Sequence, residues 1–174
     1  LPKLFIVMAT QNPVEQEGTY PLPEAQLDRF MFRIILDYPT AAEEAEVIRR
    51  KHIGEVTDLR VLADPDTIVR KQLACRTVFL DEDIISYIRD IIVRTRNDRQ
   101  ILLGGSPRAS LVLMNASKTR AAMHGREYVV PEDVRKLCIQ TLNHRLMLKP
   151  EAELEGLTVE RVVSKILGEV DCPR

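Results

Sequence analysis

The sequence predicts a mainly α-helical protein: a helical bundle preceded by two strands and a short helix from the end of an α/β core. Three observations carry this. An apolar, partly β-branched run at 3–9 reads as a strand covered on both faces, and residues 31–36 read as a second strand. From Thr40 onward the apolar residues recur at helical spacing. Helix-start chemistry punctuates that second region at regular intervals. Tyr38-Pro39-Thr40 is the hinge, dividing residues 1–38 from 39–174.

The first strand leads to Asn12 and breaks at Pro13, and residues 10–23, with Gln, Asn, Gly and three Pro, form a loop by composition. Pro23 introduces a short helix reaching about Phe30. The second strand ends at Tyr38-Pro39, because Pro cannot donate to a ladder. Thr40-Ala41-Ala42-Glu43 is a capping box, and Gly54 a C-terminal stop. Asp64-Pro65 supplies a cap and a first helical residue for the next helix. Asp81 starts another, whose Ile84, Ile85, Ile88, Ile91 and Ile92 form one broad apolar face. Ser106 caps and Pro107 opens a long helix carrying Leu111, Met114, Ala121 and Ala122 to a stop at Gly125. Val130-Pro131-Glu132-Asp133 opens the next, and Thr158 caps a last one with Val159, Val162, Val163 and Ile166.

The bulk composition narrows the class. Hydrophobic residues at 45% against 29% charged supply a real core and argue against disorder. Lys and Arg number 25 against 26 Asp and Glu, so the net charge gives no reason to expect nucleic acid. No apolar run approaches the ~18 residues of a membrane helix. Cys75, Cys138 and Cys172, with His52, His124 and His144, show no ligand spacing, so no protein-bound metal is expected; reduced thiols fit a cytoplasmic protein. Leu1 in place of Met is expected of a fragment.

Three residues are candidates for chemistry. Asn12 sits at a strand tip, where ligands of open α/β sheets bind, and its amide can hold a water without adding charge. By position alone Asn12-Pro13 is also a plain turn signal. Arg29 has the planar, always-charged donor fork that suits a transferring phosphoryl group; by spacing alone it is an exposed Arg paired with Asp28 or Glu24. Arg108 is the second residue of the helix opened by Ser106-Pro107, behind Gly104-Gly105, where backbone amides and guanidinium can face one anion. The acids Glu15 and Glu17 read as solvated loop residues. The stretch Arg94-Thr95-Arg96-Asn97-Asp98-Arg99 reads as a solvated helix end, since no aromatic interleaves it.

The blocks ATQNP and EGTYPLPEAQLDRF, then SPRAS, the VPEDV helix start, Asn143-His144-Arg145-Leu146 and Glu151-Ala152-Glu153-Leu154-Glu155-Gly156, occur in one order along nearly the whole chain. In this the sequence resembles the MoxR family of AAA+ ATPases, as a C-terminal piece: the end of a P-loop-type core plus the helical AAA+ lid. The resemblance implies sensor 1 at Asn12, positioning the attacking water, and an arginine finger at Arg29, acting in trans on a neighbour's ATP. It implies sensor 2 at Arg108, contacting the γ-phosphate. It further implies ATP and Mg²⁺ as cofactors of the parent, a homo-oligomeric ring, usually a hexamer, and chaperone-like maturation of client proteins. Partners with a von Willebrand factor A domain are implied too. The alternative class is a non-catalytic helical protein-interaction module.

No GxxxxGK[ST] loop and no run of four or more apolar residues ending in paired acids occurs in the 174 residues. Without them ATP phosphates have no cradle and Mg²⁺ no ligands. Calorimetric titration of MgATP into this chain is therefore expected to give no saturable heat; micromolar binding would reveal a phosphate site that these motifs do not describe.

Overall fold

The computed structural model describes residues 4–11, 22–54 and 59–173. Among these run eight helices and two short strands: α1 (Glu24–Leu27), α2 (Ala41–Ile53), α3 (Pro65–Arg76), α4 (Glu82–Asn97), β1 (Ile101–Leu103), α5 (Pro107–Met123), α6 (Pro131–Leu142), β2 (Met147–Leu148), α7 (Pro150–Leu154) and α8 (Val159–Glu169). The protein is mainly helical, as the sequence predicts.

Most helix starts follow the local chemistry. Thr40 Oγ1 accepts from the Glu43 amide while the Glu43 carboxylate accepts from the Thr40 amide, so both halves of the capping box form. Gly54 closes α2 at φ 65°, a left-handed position that a side chain would strain. Asp64 accepts from the Thr67 amide at 2.7 Å, Asp81 from the Asp83 amide at 2.9 Å and Thr158 from the Arg161 amide at 3.4 Å.

The core lies between α4, α5, α6 and α8. Ile84, Tyr87, Ile88, Ile91 and Ile92 of α4 face Val162, Val163, Ile166 and Leu167 of α8; Val134, Cys138 and Leu142 come from α6 and Ala109, Leu113 and Ala121 from α5. Small residues on α5 let α6 approach closely, and these two form the most extensive helix pair. Burial pushes the Cys138 thiol up to about 12, making it an inert hydrophobe. β1 and β2 pair antiparallel, Ile101 opposite Leu148 and Leu103 opposite Met147. A second tie joins the ends of α3 and α5: Phe79 donates to the Glu127 carbonyl at 2.7 Å and accepts from the Val129 amide at 3.1 Å.

One buried charge holds the α5–α6 connection. The Asp133 carboxylate accepts two bonds from Arg126, both at 2.7 Å, and one from the Val130 amide at 3.0 Å, with Arg120 at 3.4 Å. Burial would raise its pKa, but these donors hold it below the usual carboxylate range.

Three expectations are corrected. The runs 3–9 and 31–36 do not form strands among the described residues. A strand exists through hydrogen bonds to a neighbour, and neither run is bonded into a sheet there. In the second run the Arg33 amide donates instead to the Gln140 carbonyl of α6, at 3.0 Å. Both runs are left largely exposed, Ile6 and Leu36 by more than three quarters. Second, Ile85 is exposed, which narrows the α4 stripe to residues 84, 88, 91 and 92 with Tyr87. Third, Leu111 is exposed and Leu113 is fully buried. Two residues apart on a helix is about 200°, so only one of them can share a face with Ala109.

Leu113→Ala is expected to cost about 2–5 kcal/mol and Leu111→Ala no more than about 0.5 kcal/mol in urea unfolding. Equal effects would mean the phase of α5 is wrong.

Candidate functional site

Arg145 lies three residues past the end of α6, and its side chain is 1% exposed. A guanidinium has five N–H donors in a fixed plane. All five are used here. Nε donates to Asp28 Oδ1 at 3.0 Å; Nη2 donates to the Asp28 carbonyl at 2.9 Å and to the Phe30 carbonyl; Nη1 donates to the Met31 carbonyl at 3.1 Å and to the Thr141 carbonyl. Three of those carbonyls belong to the turn that follows α1. The fourth is a terminal carbonyl of α6, where a cation suits the helix dipole. Burial lowers the Arg145 pKa, and the Asp28 carboxylate opposes it.

His144 adds a second grip. Its Nε2 lies 3.0 Å from the Phe30 carbonyl, which can only accept, so Nε2 carries the proton. Nδ1 is buried with no partner among the described residues. Burial, with Arg145 and Arg33 nearby, lowers the His144 pKa against the pull of the Phe30 carbonyl, so the ring is held neutral.

The Asp28 carboxylate joins this grip to α5. It accepts from Ser106 Oγ at 3.0 and 3.1 Å and lies 3.6 Å from Arg108 Nε. Ser106 therefore does not cap its own helix, as the sequence suggested; its hydroxyl is drawn to a charged acceptor, which binds more strongly than a neutral amide can. Arg29, the next residue, is exposed and has no ion pair or side-chain hydrogen bond among the described residues. Its reading as a surface partner of Asp28 is thus not realised, because Asp28 is taken by three other groups.

The start of α5 is fixed from behind. The Gly105 amide donates to Thr95 Oγ1 at 2.9 Å, and its carbonyl accepts from Arg96 Nε at 2.8 Å. A Cβ on Gly104 would sit 2.7 Å from the Arg96 Cα, inside the helix backbone of α4. The glycine pair thus serves close packing on α4. Arg94 binds Glu169 at 2.6 Å and approaches Asp98 at 3.5 Å, so the basic stretch 94–99 is partly consumed by internal pairing.

Asn12, Glu15 and Glu17 lie outside the described residues. Arg108 lies beside the Asp28 carboxylate, and Arg29 is the next residue along the chain from Asp28, with no bond to it from its side chain among the described residues. The sequence reading missed Asp28 and Arg145 as the groups that organise them. The signal lay in Asn143-His144-Arg145-Leu146, a polar segment with a buried histidine and arginine at a helix end. No group of His, Cys, Asp or Glu among the described residues could hold a metal ion.

Comparison with known proteins agrees with this architecture. A family model described as the AAA lid domain matches residues 93–166, and one described as the ATPase family associated with various cellular activities (AAA) matches residues 1–32. The uncharacterized protein YeaC of Bacillus subtilis is 45% identical over 172 residues, covering 97% of this chain and 53% of that protein. Chaperone MoxR1 of Mycobacterium tuberculosis is 36% identical, covering 100% of this chain and 48% of that protein. A 2.00 Å crystal structure from Cytophaga hutchinsonii, of a protein proposed to be an ATPase, superposes with a TM-score of 0.91 at 36% identity, covering 100% of this chain and 56% of that one. The chain spans about half the length of the curated relatives it matches.

Gly104→Ala is expected to destabilise by about 1–3 kcal/mol, because α4 backbone must shift. Gly105→Ala should cost less, its nearest neighbour being an Ile92 methyl at 3.3 Å. Urea midpoints of the two variants check the order.

Proposed function

We propose, for a chain that belongs to the MoxR group of AAA+ ATPases, that it carries two arginines of an ATP-hydrolysing site shared between neighbouring subunits. Residues 1–38 are the closing part of the ATPase core and 39–174 the lid. The observation that carries this reading is the contrast at one turn: the Arg145 donors are all used and Asp28 is bonded to Arg145 and Ser106, while Arg29, between Asp28 and Phe30, is exposed without a side-chain partner among the described residues.

ATP supplies the phosphoryl group and Mg²⁺ neutralises its charge. The donor chemistry here fits phosphate oxygens; the described residues offer no cluster of ligands for the ion. As the γ-phosphoryl group transfers, negative charge spreads over its oxygens. A guanidinium presented from a neighbouring subunit stabilises that charge, and Arg29 is free to do so. Arg108, about half exposed beside Asp28 at the start of α5, reads the γ-phosphate from the lid in this proposal; its exposure and its donor fork support that role. Asn12 orients the attacking water through its amide. The ring is a homo-oligomer, hexameric in the expected form, and its work is chaperone-like maturation or activation of client proteins in the cytoplasm. A partner with a von Willebrand factor A domain fits the same reading. MoxR1 is itself named a chaperone.

In the full-length protein, Arg29→Ala should lower ATP turnover by roughly 10³–10⁵. Nucleotide affinity should stay within about twofold, because the finger acts in the transition state. Phosphate release and nucleotide titration test this together. Surviving turnover, or affinity falling in proportion, would remove Arg29 from the site.

A further inference from the structure

We infer that Arg145 is the positioning residue for Arg29, holding the turn that presents it and tying that turn through Asp28 to the start of α5. The inference rests on the reading of Arg29 as the trans-acting arginine.

Residues 28–31 sit on the protein through polar contacts. α1 buries no residue, and the apolar run that follows the turn is exposed. Its conformation is instead set by acceptors: the carbonyls of Asp28, Phe30 and Met31 all point at Arg145 or His144. Arg29, between those carbonyls, is left exposed, with its amide donating to the Gln26 carbonyl at 3.1 Å. The same plane reaches the Asp28 carboxylate, which holds Ser106 and lies beside Arg108. A shift of α5 or α6 is thereby transmitted to the backbone on both sides of Arg29. Lysine cannot substitute. Its ammonium has three donors at a point and cannot span five acceptors in a plane.

The test is Arg145→Lys in the full-length protein, beside Arg29→Ala. A misplacement of about 1 Å at a catalytic group costs on the order of 100-fold. Arg145→Lys is therefore expected to lower kcat at least about tenfold while the KM for ATP stays within about twofold. Amide hydrogen exchange should quicken over 24–33 and stay unchanged in α4, α5, α6 and α8, a pattern a general loss of structure would not give.

Wild-type kcat in Arg145→Lys, with Arg29→Ala inactive, overturns the inference and leaves the finger standing. Faster exchange throughout the four core helices, with kcat and KM changing together, assigns Arg145 to structure alone and also overturns it. If Arg29→Ala retains turnover, the finger reading falls and takes this inference with it. Should Arg145→Lys fail to fold, Asp28→Asn, isosteric and partly exposed, is measured against the same outcomes.

Discussion

Everything at the site depends on a buried guanidinium. Taking a charge out of water costs several kcal/mol, and the cost is met only when every donor finds an acceptor. Arg145 meets that condition with one carboxylate oxygen and four carbonyls. Removing the one charged partner, the Asp28 carboxylate, would leave the buried guanidinium without a counter-charge, at a cost of about 3–5 kcal/mol. The turn at 28–31 is thus held against the end of α6 by these bonds. Its order is borrowed from the bundle, because it contributes no fully buried apolar side chain of its own.

The bundle in turn can act as a reference frame because its own ties are redundant. Four helices share the core, and each end of α5 is secured separately. At the N-terminal end, Gly104 lets the backbone touch α4 while Thr95 and Arg96 bind Gly105. At the C-terminal end, Arg126 and Arg120 converge on Asp133 in α6. Asp98 plays a similar part between α4 and α8, with Arg94 and Lys165 both at 3.5 Å. These are buried carboxylates with several donors each, so they fix relative orientation more than they add stability.

What the sequence revealed was what is local. Thr40 with Glu43, Asp64 with Pro65, Asp81 and Thr158 announce helix starts, because capping involves residues no more than three apart. What it concealed depends on distant partners. The runs at 3–9 and 31–36 have strand composition, but composition cannot supply a neighbouring strand. Ser106 has every mark of a cap, yet a carboxylate 78 residues earlier in the chain takes its hydroxyl. Leu111 and Leu113 are alike as residues, and only the phase of α5 against α6 tells them apart. Arg29 and Arg108 could be nominated from motifs; Asn12, nominated the same way, lies outside the described residues. Arg145 could be noticed as an arginine at a helix end, but not its grip on the turn beside Arg29, because Asp28, Phe30 and Met31 lie more than a hundred residues away.

The two arginines that meet Asp28 differ in a way that matters for a working site. Arg145 makes five bonds and is sealed from solvent, whereas Arg108 reaches the same carboxylate at 3.6 Å with its side chain 48% exposed. An exposed pair of that length contributes about 0–1 kcal/mol, and a phosphate oxygen offers a guanidinium more than that. Arg108 can therefore exchange Asp28 for a phosphate at little cost. When it does, Asp28 still holds Ser106 and Arg145, so its carboxylate is not left uncompensated. One carboxylate thus serves a permanent partner and a releasable one. Movement of Arg108 toward nucleotide would leave the backbone beneath Arg29 undisturbed.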